Sequence, residues 1–304
     1  MITINTNKSV VRLDGWDDLI GRAGFSTNLD PAEHDLDAII GRYNIGERVR
    51  CGLSNCHTLH AKGYLVSTKS GRETNIGKDC GKAYFGVDFE NLAKQFERMS
   101  TEQDNRELLS NFSFNVEELD TKIRTLRHGQ RGADWVNKHS RCLIDPNSRV
   151  PVEVVRAVTK LVKANANEFS IQREATDREV ETMEAAQGKK LNRPQFVDEA
   201  VAVIYGLDVL NPEYDLRKLL VINVEEPLKA FRTLTIDELT FEQLAYWKKW
   251  AVSVEGSLES AALATAAGQR LLTRENLSPL LRLPSLEKGE DRALFQAYLD
   301  TITI

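Results

Sequence analysis

The alternation of apolar and polar residues is clearest between Gly63 and Thr68, a segment that is also rich in strand-forming residues. The segment from Arg72 to Ile76 is interpreted as the returning strand. The tripeptide between them, Lys-Ser-Gly, is typical of a turn. An alternating strand, a short glycine-containing turn and a returning strand predict a β-hairpin. We therefore expect a small antiparallel hairpin in the first third of the chain.

The pattern changes to a helical period after the hairpin. Asp88 is a suitable N-cap for a helix. The apolar residues after it recur at spacings of three and four: Phe89, Leu92, Phe96 and Met99. A second such stripe comprises Val116, Leu119, Ile123 and Leu126. Because apolar residues at this spacing form one face of a helix, both segments are predicted to be amphipathic helices.

The longest helical pattern begins at Pro151. Its apolar stripe comprises Val154, Val155, Val158, Leu161, Val162, Ala166 and Phe169. The stripe ends after Ile171, and residues 172–184 are almost all polar, as in a helix that projects into solvent. Residues 187–194 contain three cations and are typical of a tip, and apolar residues resume after Pro194. The pattern predicts a long helical hairpin over about residues 151–206.

Three of the four cysteines and two of the five histidines lie within residues 51–80. Cys51 and Cys56 form a first pair, His57 and His60 follow closely, and Cys80 comes after the predicted hairpin. Zinc prefers four tetrahedral sulfur or nitrogen ligands that come from two chain segments. Free cysteines are often small buried apolar residues instead. The polar, glycine-punctuated character of this segment favours a metal site.

His60 is the preferred fourth ligand. His57 directly follows Cys56, and neighbouring residues seldom both reach one ion without strain, although His57 remains the alternative. A shell of Cys51, Cys56, His60 and Cys80 would leave no open position for water or substrate. We therefore predict a structural Zn²⁺ that contributes to folding rather than to catalysis.

The order of knuckle, hairpin, late cysteine and helix over residues 46–100 resembles the treble-clef group of zinc-binding modules. That group usually supplies two ligands from the start of its helix, at Cys-x2-Cys spacing, and here Cys80 alone stands at that place. The resemblance implies a structural metal site. It implies no particular activity, because members of the group serve many functions.

These patterns predict a mainly α fold, with a helical bundle or hairpin body and a small zinc-stabilised β-hairpin module near the N-terminus. We expect a zinc-binding α+β module over residues 1–100. An α-helical domain over residues 101–304 should contain the helical hairpin at about 151–206. A further helix is expected from Asp30 to about Tyr43, because Asp at the N-cap and Pro31 at the first helical position favour a helix start.

Composition narrows the class of protein. Of the 304 residues, 41% are hydrophobic and 28% are charged, as in soluble globular proteins. No run of about 18 apolar residues suggests a spanning helix, and the N-terminus lacks the pattern of a signal peptide. Cysteines grouped at metal-ligand spacing favour a reducing compartment, so we expect a cytoplasmic location and no membrane partner. Cys142 is predicted to be a buried structural residue.

The net charge of −5 is unevenly distributed. Between residues 50 and 82, six Lys or Arg residues stand against two acidic ones, and between 120 and 163 ten stand against four. Residues 164–304 carry sixteen cations and twenty-three acidic residues. This asymmetry favours DNA or RNA as a partner of the first half, although solvated faces also produce such runs. The first candidates for nucleic-acid contact are Lys62, Tyr64, Lys69, Arg72, Lys78 and Lys82.

The common catalytic motifs are absent from the sequence. It contains no phosphate-binding Gly-x4-Gly-Lys-Ser/Thr, no Gly-x-Ser-x-Gly elbow and no His-Glu-x2-His helix. We therefore predict a non-enzymatic, zinc-containing, nucleic-acid-binding accessory or regulatory protein. The alternative is a scaffold that binds a protein partner, or a second copy of itself, through the helical hairpin and the acidic C-terminal helices. A complex that survives nuclease treatment would favour the alternative.

Overall fold

The structure, a computed structural model, describes residues 2–6, 9–13, 15–286 and 289–303. It is 58% helical, which confirms the predicted mainly α class, and it also contains antiparallel sheet. The chain divides into two compact units. The N-terminal unit comprises Met1–Leu108 and Thr240–Ala245, and the C-terminal unit comprises Leu109–Leu239 and Tyr246–Ile304.

Five antiparallel strands form the sheet of the N-terminal unit, in the order β2-β1-β3-β4-β5. The strands are β1 (Ile2–Thr6), β2 (Ser9–Leu13), β3 (Leu36–Arg50), β4 (Leu59–Thr68) and β5 (Glu73–Ile76). A short helix, α1 (Trp16–Ile20), follows β2. β4 and β5 pair as the alternation predicts, with Tyr64 opposite Ile76 and Ser67 opposite Glu73. The predicted hairpin is therefore present, within a larger sheet.

The predicted helix from Asp30 to Tyr43 is wrong, because β3 begins within that segment. Asp30 starts only a turn, in which its carboxylate accepts a hydrogen bond of 2.9 Å from the backbone N–H of Ala32. Further along, every second residue is buried, namely Ile39, Gly41 and Tyr43. A period of two is that of a strand with one face on a core.

Two apolar clusters form the core of the N-terminal unit. Because successive strand residues point to opposite faces, Val66 packs in the first cluster and Leu65 in the second. The helix α2 (Lys78–Phe114) follows β5, and its backbone leaves helical geometry at Gly86, where φ is 60°. Beyond this point α2 buries Phe89 and Phe96 in the first cluster. One face of the sheet is thus covered by the helix that follows the hairpin.

Helices dominate the rest of the chain. They are α3 (Val116–His128), α4 (Ala133–Arg141), α5 (Val152–Lys163), α6 (Asp177–Gln187), α7 (Glu226–Phe231), α8 (Phe241–Leu271), α9 (Arg274–Leu277) and α10 (Glu290–Thr303). A π-helical segment, Arg217–Glu225, precedes α7. Short 3-10 helices are Leu207–Leu210, Pro212–Tyr214, Ile236–Glu238, Ser278–Arg282 and Pro284–Leu286. Among the described helices, none combines the length and the apolarity needed to cross a membrane.

The predicted helical hairpin over residues 151–206 is wrong. α5 ends at Lys163, and the next segments are strand β6 (Glu168–Glu174), helix α6 and strand β7 (Phe196–Val203). β6 and β7 pair antiparallel. The polar stretch that suggests a solvated helix contains the end of a strand and a separate helix, whose start is fixed by a capping box between Thr176 and Glu179.

Candidate metal centre and basic groove

The first two cysteines lie in a tight turn between β3 and β4. Cys51 is fully buried, and its backbone N–H donates to the carbonyl of Thr58 at 2.9 Å. The N–H of Cys56 donates to the carbonyl of Leu53 at 3.2 Å, and Leu53 is itself fully buried. The turn includes one residue in the left-handed backbone region, His57, whose φ is 55°. Buried Leu53 therefore anchors the turn while Cys56 stays partly exposed.

Cys80 lies in the first turn of α2. The next residue, Gly81, is buried, and a Cβ placed on it would meet the Phe89 ring at 2.2 Å. Only glycine fits this approach without displacing a core aromatic residue. The close packing of the helix start against Phe89 therefore fixes the position from which the Cys80 thiol projects.

The turn and the helix start bring the three cysteines together. The sulfur atoms of Cys51, Cys56 and Cys80 all lie within 4.8 Å of one another, and Cys56 Sγ is 3.3 Å from Cys80 Sγ. Sulfurs bound to one tetrahedral zinc ion at about 2.3 Å are separated by roughly 3.8 Å. The three thiols can therefore hold a metal ion, as the sequence predicts. Cys142, the fourth cysteine, is outside this group and is only partly buried.

The thiols differ in their acidity. Burial, together with the hydrogen bond to Cys56, raises the pKa of Cys80 to about 12. Burial is also the main cause that raises the pKa of Cys51. Burial opposes ionisation of Cys56 as well, but hydrogen bonding with the side chain and the backbone of Thr58 lowers the pKa of this thiol. Because the three thiols are packed together, ionising more than one of them costs free energy. A bound cation would offset this cost by its attraction for the thiolates.

The two candidate histidine ligands are placed differently. Among the described residues, neither His57 nor His60 belongs to the group whose ligand atoms lie within 4.8 Å of one another. His57 is exposed. The Nδ1 atom of His60 lies 2.6 Å from the hydroxyl of Tyr43, while its Nε2 atom is buried and has no hydrogen-bond partner among the residues that the structure describes. That His60 completes the shell stays a prediction.

Three of the six candidate nucleic-acid residues line one cavity in the N-terminal unit. This cavity, of ≈ 500 Å³, is called the basic groove here; its walls include Arg42, Tyr43, Lys62, Tyr64, Lys78 and Glu97. Lys62 and Tyr64 lie two apart on β4 and so share a face. Lys78 comes from the first residue of α2. Sheet and helix start together form the groove.

The other three candidates lie outside the basic groove. Lys69 is 3.4 Å from the carboxylate of Asp35, and Lys82 is 3.0 Å from that of Glu90. Arg72 is exposed beside the turn between β4 and β5. The sequence-based list therefore separates into a group within the groove and a dispersed group.

Arg42 is a lining residue that the sequence interpretation missed. It lies opposite Tyr64 in the β3–β4 pairing, and its guanidinium group donates to Glu97 at 2.9 Å and to Asp104 at 3.2 Å. The helix-start signal at Asp30 conceals β3 in the sequence, and only the β3–β4 register places Arg42 beside Tyr64. The ring of Tyr64 meets that of Phe89 edge to face at 5.7 Å. Burial, and next the charge of Glu97, raise the pKa of Tyr64.

Comparisons with known proteins give no relative of this chain: no protein-family model, no curated protein and no solved structure matches it.

Proposed function

We propose that the N-terminal unit binds single-stranded nucleic acid in the basic groove, and that a structural zinc ion stabilises this unit. The observation that carries the proposal is the convergence of Lys62, Tyr64 and Lys78 on one cavity that Arg42 also lines. An aromatic ring among cations is the combination that single-strand-binding surfaces use, because the ring stacks on a base while the cations attract phosphates.

Zinc is proposed to be held by Cys51, Cys56, Cys80 and His60. Three clustered thiols are the donor set that structural zinc prefers. His60 adds a buried Nε2 atom to which no residue in the described part of the chain is hydrogen-bonded, and its Nδ1 atom faces the Tyr43 hydroxyl. A metal-binding histidine usually has its second ring nitrogen held by such a partner. A closed shell of this kind would supply folding free energy and leave no position for a reacting group.

The charge of the basic groove supports phosphate as the ligand group. Three cations line it, and the carboxylate of Glu97 opposes them. Glu97 is already bound to Arg42. Lys62 and Lys78 are exposed and make no ion pair with any residue that the structure describes, so their ammonium groups can bind phosphate without breaking an ion pair.

The size of the basic groove favours a single strand over a duplex. Its volume of ≈ 500 Å³ can admit one base with its sugar but not a double helix. A DNA duplex could contact the basic groove only through its phosphate backbone. A protein reaches the base edges of a duplex with elements that enter the major groove of the DNA. An unpaired base can instead lie against Tyr64. We therefore expect a preference for single strands.

The test is fluorescence anisotropy with a labelled oligothymidylate and with a duplex of the same length. Wild-type protein should bind the single strand more tightly, and the affinity should fall as salt rises. The double variant K62A/K78A should weaken binding at least about tenfold and reduce the dependence of log affinity on log salt by roughly 1 to 2.

The matched control is K69A/R72A, which removes the same charge from exposed positions outside the basic groove. It should change the affinity by less than about threefold, because these cations act only at long range. The proposal is wrong if wild-type protein binds no oligonucleotide at low salt. It is also wrong if the two double variants lose the same affinity.

A further inference from the structure

A second groove lies in the C-terminal unit, between α3 and α8. Its volume is ≈ 670 Å³, and it is called the acidic groove here because of the residues on its rim. Leu126 from α3 and Leu258 and Ala262 from α8 line its floor. Leu258 is buried, Leu126 is partly exposed and Ala262 is exposed, so part of this apolar floor faces solvent between the two helices.

The two helices run in the same direction along the acidic groove. Near one end, the pKa of Lys122 is raised by its hydrogen bond to Glu118 and further by the negative charge of Glu255. At the other end, the side-chain amide of Gln269 donates to the carbonyl of Arg131 at 3.0 Å and closes the gap. From Glu255 to Gln269 the α8 wall is about 20 Å long at 1.5 Å per residue. That length matches a partner helix of about four turns.

The rim of the acidic groove carries unequal charge. Among the described residues that line it, three carboxylates, from Glu118, Glu255 and Glu259, stand against one cation, Lys122. Lys122 lies 3.1 Å from Glu118, so that pair is internally neutralised. Glu255 and Glu259 are exposed and make no ion pair with residues in the described part of the chain. Two carboxylates one helical turn apart on α8 therefore face a partner without an ion pair of their own, although Glu255 also interacts electrostatically with Lys122.

We propose that the acidic groove binds a basic amphipathic helix of another protein. Leucine-like side chains at i, i+3, i+4 and i+7 of the partner would enter the apolar floor, as in other helix-in-groove complexes. Lysine or arginine on the flank of that helix would pair with Glu255 and Glu259. The charge of the rim selects this occupant, since an acidic or neutral helix gains nothing from these two carboxylates.

The probe is a labelled peptide of about 16 residues with leucines at the i, i+3, i+4, i+7 spacing and lysines elsewhere. We expect saturable binding to the full chain in an anisotropy titration. Two control peptides test its two features. One has glutamate in place of every lysine, and the other has the same composition with the leucine stripe scrambled. Each control peptide should bind at least about tenfold more weakly if the acidic groove recognises both the lysines and the leucine stripe of the probe.

Two substitutions on neighbouring residues of α8 locate the binding site. A262R places a large cation on the floor and should weaken peptide binding at least about tenfold. L263R is the matched control, because Leu263 is 68% exposed and lies outside the acidic groove. It should leave the affinity within about twofold. E255Q/E259Q should weaken binding about three- to tenfold at low salt and less at high salt.

Several outcomes would overturn the proposal. They are absence of binding by the lysine peptide, equal binding of the glutamate or scrambled peptide, and equal loss in A262R and L263R. Sedimentation of the protein without peptide provides one more such outcome. If it shows a dimer that A262R abolishes and L263R does not, a second copy of this chain occupies the acidic groove. The nucleic-acid measurements bear on the other groove and leave this result unchanged.

Discussion

The two units of this chain present grooves of opposite charge. Of the described lining residues, those of the basic groove in the N-terminal unit include three cations and one carboxylate, whereas those of the acidic groove in the C-terminal unit include three carboxylates and one cation. The net charge of −5 describes neither surface. Local charge beside an aromatic or apolar floor, rather than the sum over the chain, indicates what class of partner each groove suits.

The units also differ in what holds them together. In the N-terminal unit a buried cysteine, Cys51, belongs to the larger of two apolar clusters, and two more cysteines pack against that cluster. The C-terminal unit contains none of these three cysteines, and its core includes large side chains such as Phe295 and Tyr298. We expect a unit whose apolar core ends at clustered thiols to depend on their chemistry as well as on packing, and a unit without such a cluster to depend on packing. The predictions below test this difference.

Removal of the proposed zinc should have the largest effect, and should act on the N-terminal unit alone. Structural zinc in small modules contributes about 10–16 kcal/mol of apparent binding free energy, which is comparable with the whole stability of a domain at about 5–15 kcal/mol. We expect a chelator, or Cys80→Ser, to abolish amide protection within residues 15–108. Protection within residues 109–239 should remain. Hydrogen exchange followed by mass spectrometry measures both segments in one sample.

Cys142→Ser is the matched control, because Cys142 lies outside the cysteine group. It should retain about one zinc per chain in metal analysis and should keep the wild-type exchange pattern. A purified wild-type protein without metal, or an N-terminal unit that keeps its protection in chelator, would show that the thiols are ordinary core residues.

Phe295→Ala should produce the reverse pattern. Phe295 is fully buried on α10 and stacks on Tyr298 with ring centroids 6.0 Å apart. Truncation of a buried phenylalanine costs about 3–5 kcal/mol, so the C-terminal unit should melt at lower temperature while the N-terminal unit keeps its protection. Leu294→Ala is the control, since Leu294 is 43% exposed on the same helix. It should change stability by no more than about 0.5 kcal/mol.

The sequence predicts those features that depend on neighbouring residues. The β4–β5 hairpin follows from its alternation and its turn, and the gathering of Cys51, Cys56 and Cys80 follows from their spacing on each side of it. The helices that carry Phe89 and Val116 follow from their period. In each case one local pattern is enough, because the elements are consecutive in the chain.

The failures occur where distant segments decide the structure. Residues 36–43 form a strand because β1 and β4 flank β3, and no local signal shows those partners. β6 likewise forms because β7, more than twenty residues later, pairs with it. Arg42 was missed in the basic groove for the same reason, since only the β3–β4 register places it beside Tyr64. Strand pairing is a long-range property that outweighs local helix signals.

The stability of the C-terminal unit should also depend on pH through His139. Burial, with the nearby charges of Lys138 and Arg149, lowers the pKa of this imidazole below its ordinary value of about 6.5. The unfolded chain therefore binds more protons in the window just below about pH 6.5, and the free energy of unfolding falls as pH falls through it. Above about pH 6.5 the imidazole is mostly neutral in both the folded and the unfolded chain, so its titration no longer lowers the free energy of unfolding.

Urea unfolding of the C-terminal unit at about pH 7.5 and about pH 5.5 measures this effect. His139→Gln should reduce the loss of stability between the two pH values, because glutamine does not titrate. The same loss in the variant and in wild type would assign the pH dependence to other groups.

The smallest expected effect is an increase in affinity from Glu97→Gln in the basic groove. Glu97 is the acidic residue among the described residues that line this groove, and its side chain is 41% exposed. Removing the charge of Glu97 leaves the ion pair between Arg42 and Asp104, at 3.2 Å, which continues to position the guanidinium group. Because one exposed charge contributes roughly 0.2–1 kcal/mol, oligothymidylate should bind up to about fivefold more tightly at low salt.

Glu102→Gln provides the matched control for this last prediction, because Glu102 lies on the same helix, pairs with Arg106 at 2.7 Å and is outside the basic groove. It changes the net charge of the chain by the same amount. An increase for Glu97→Gln alone would show that the sign of charge within the groove governs binding. An equal increase for both variants would mean that the oligonucleotide responds only to the total charge, and the contrast between the two grooves would then have no part in recognition.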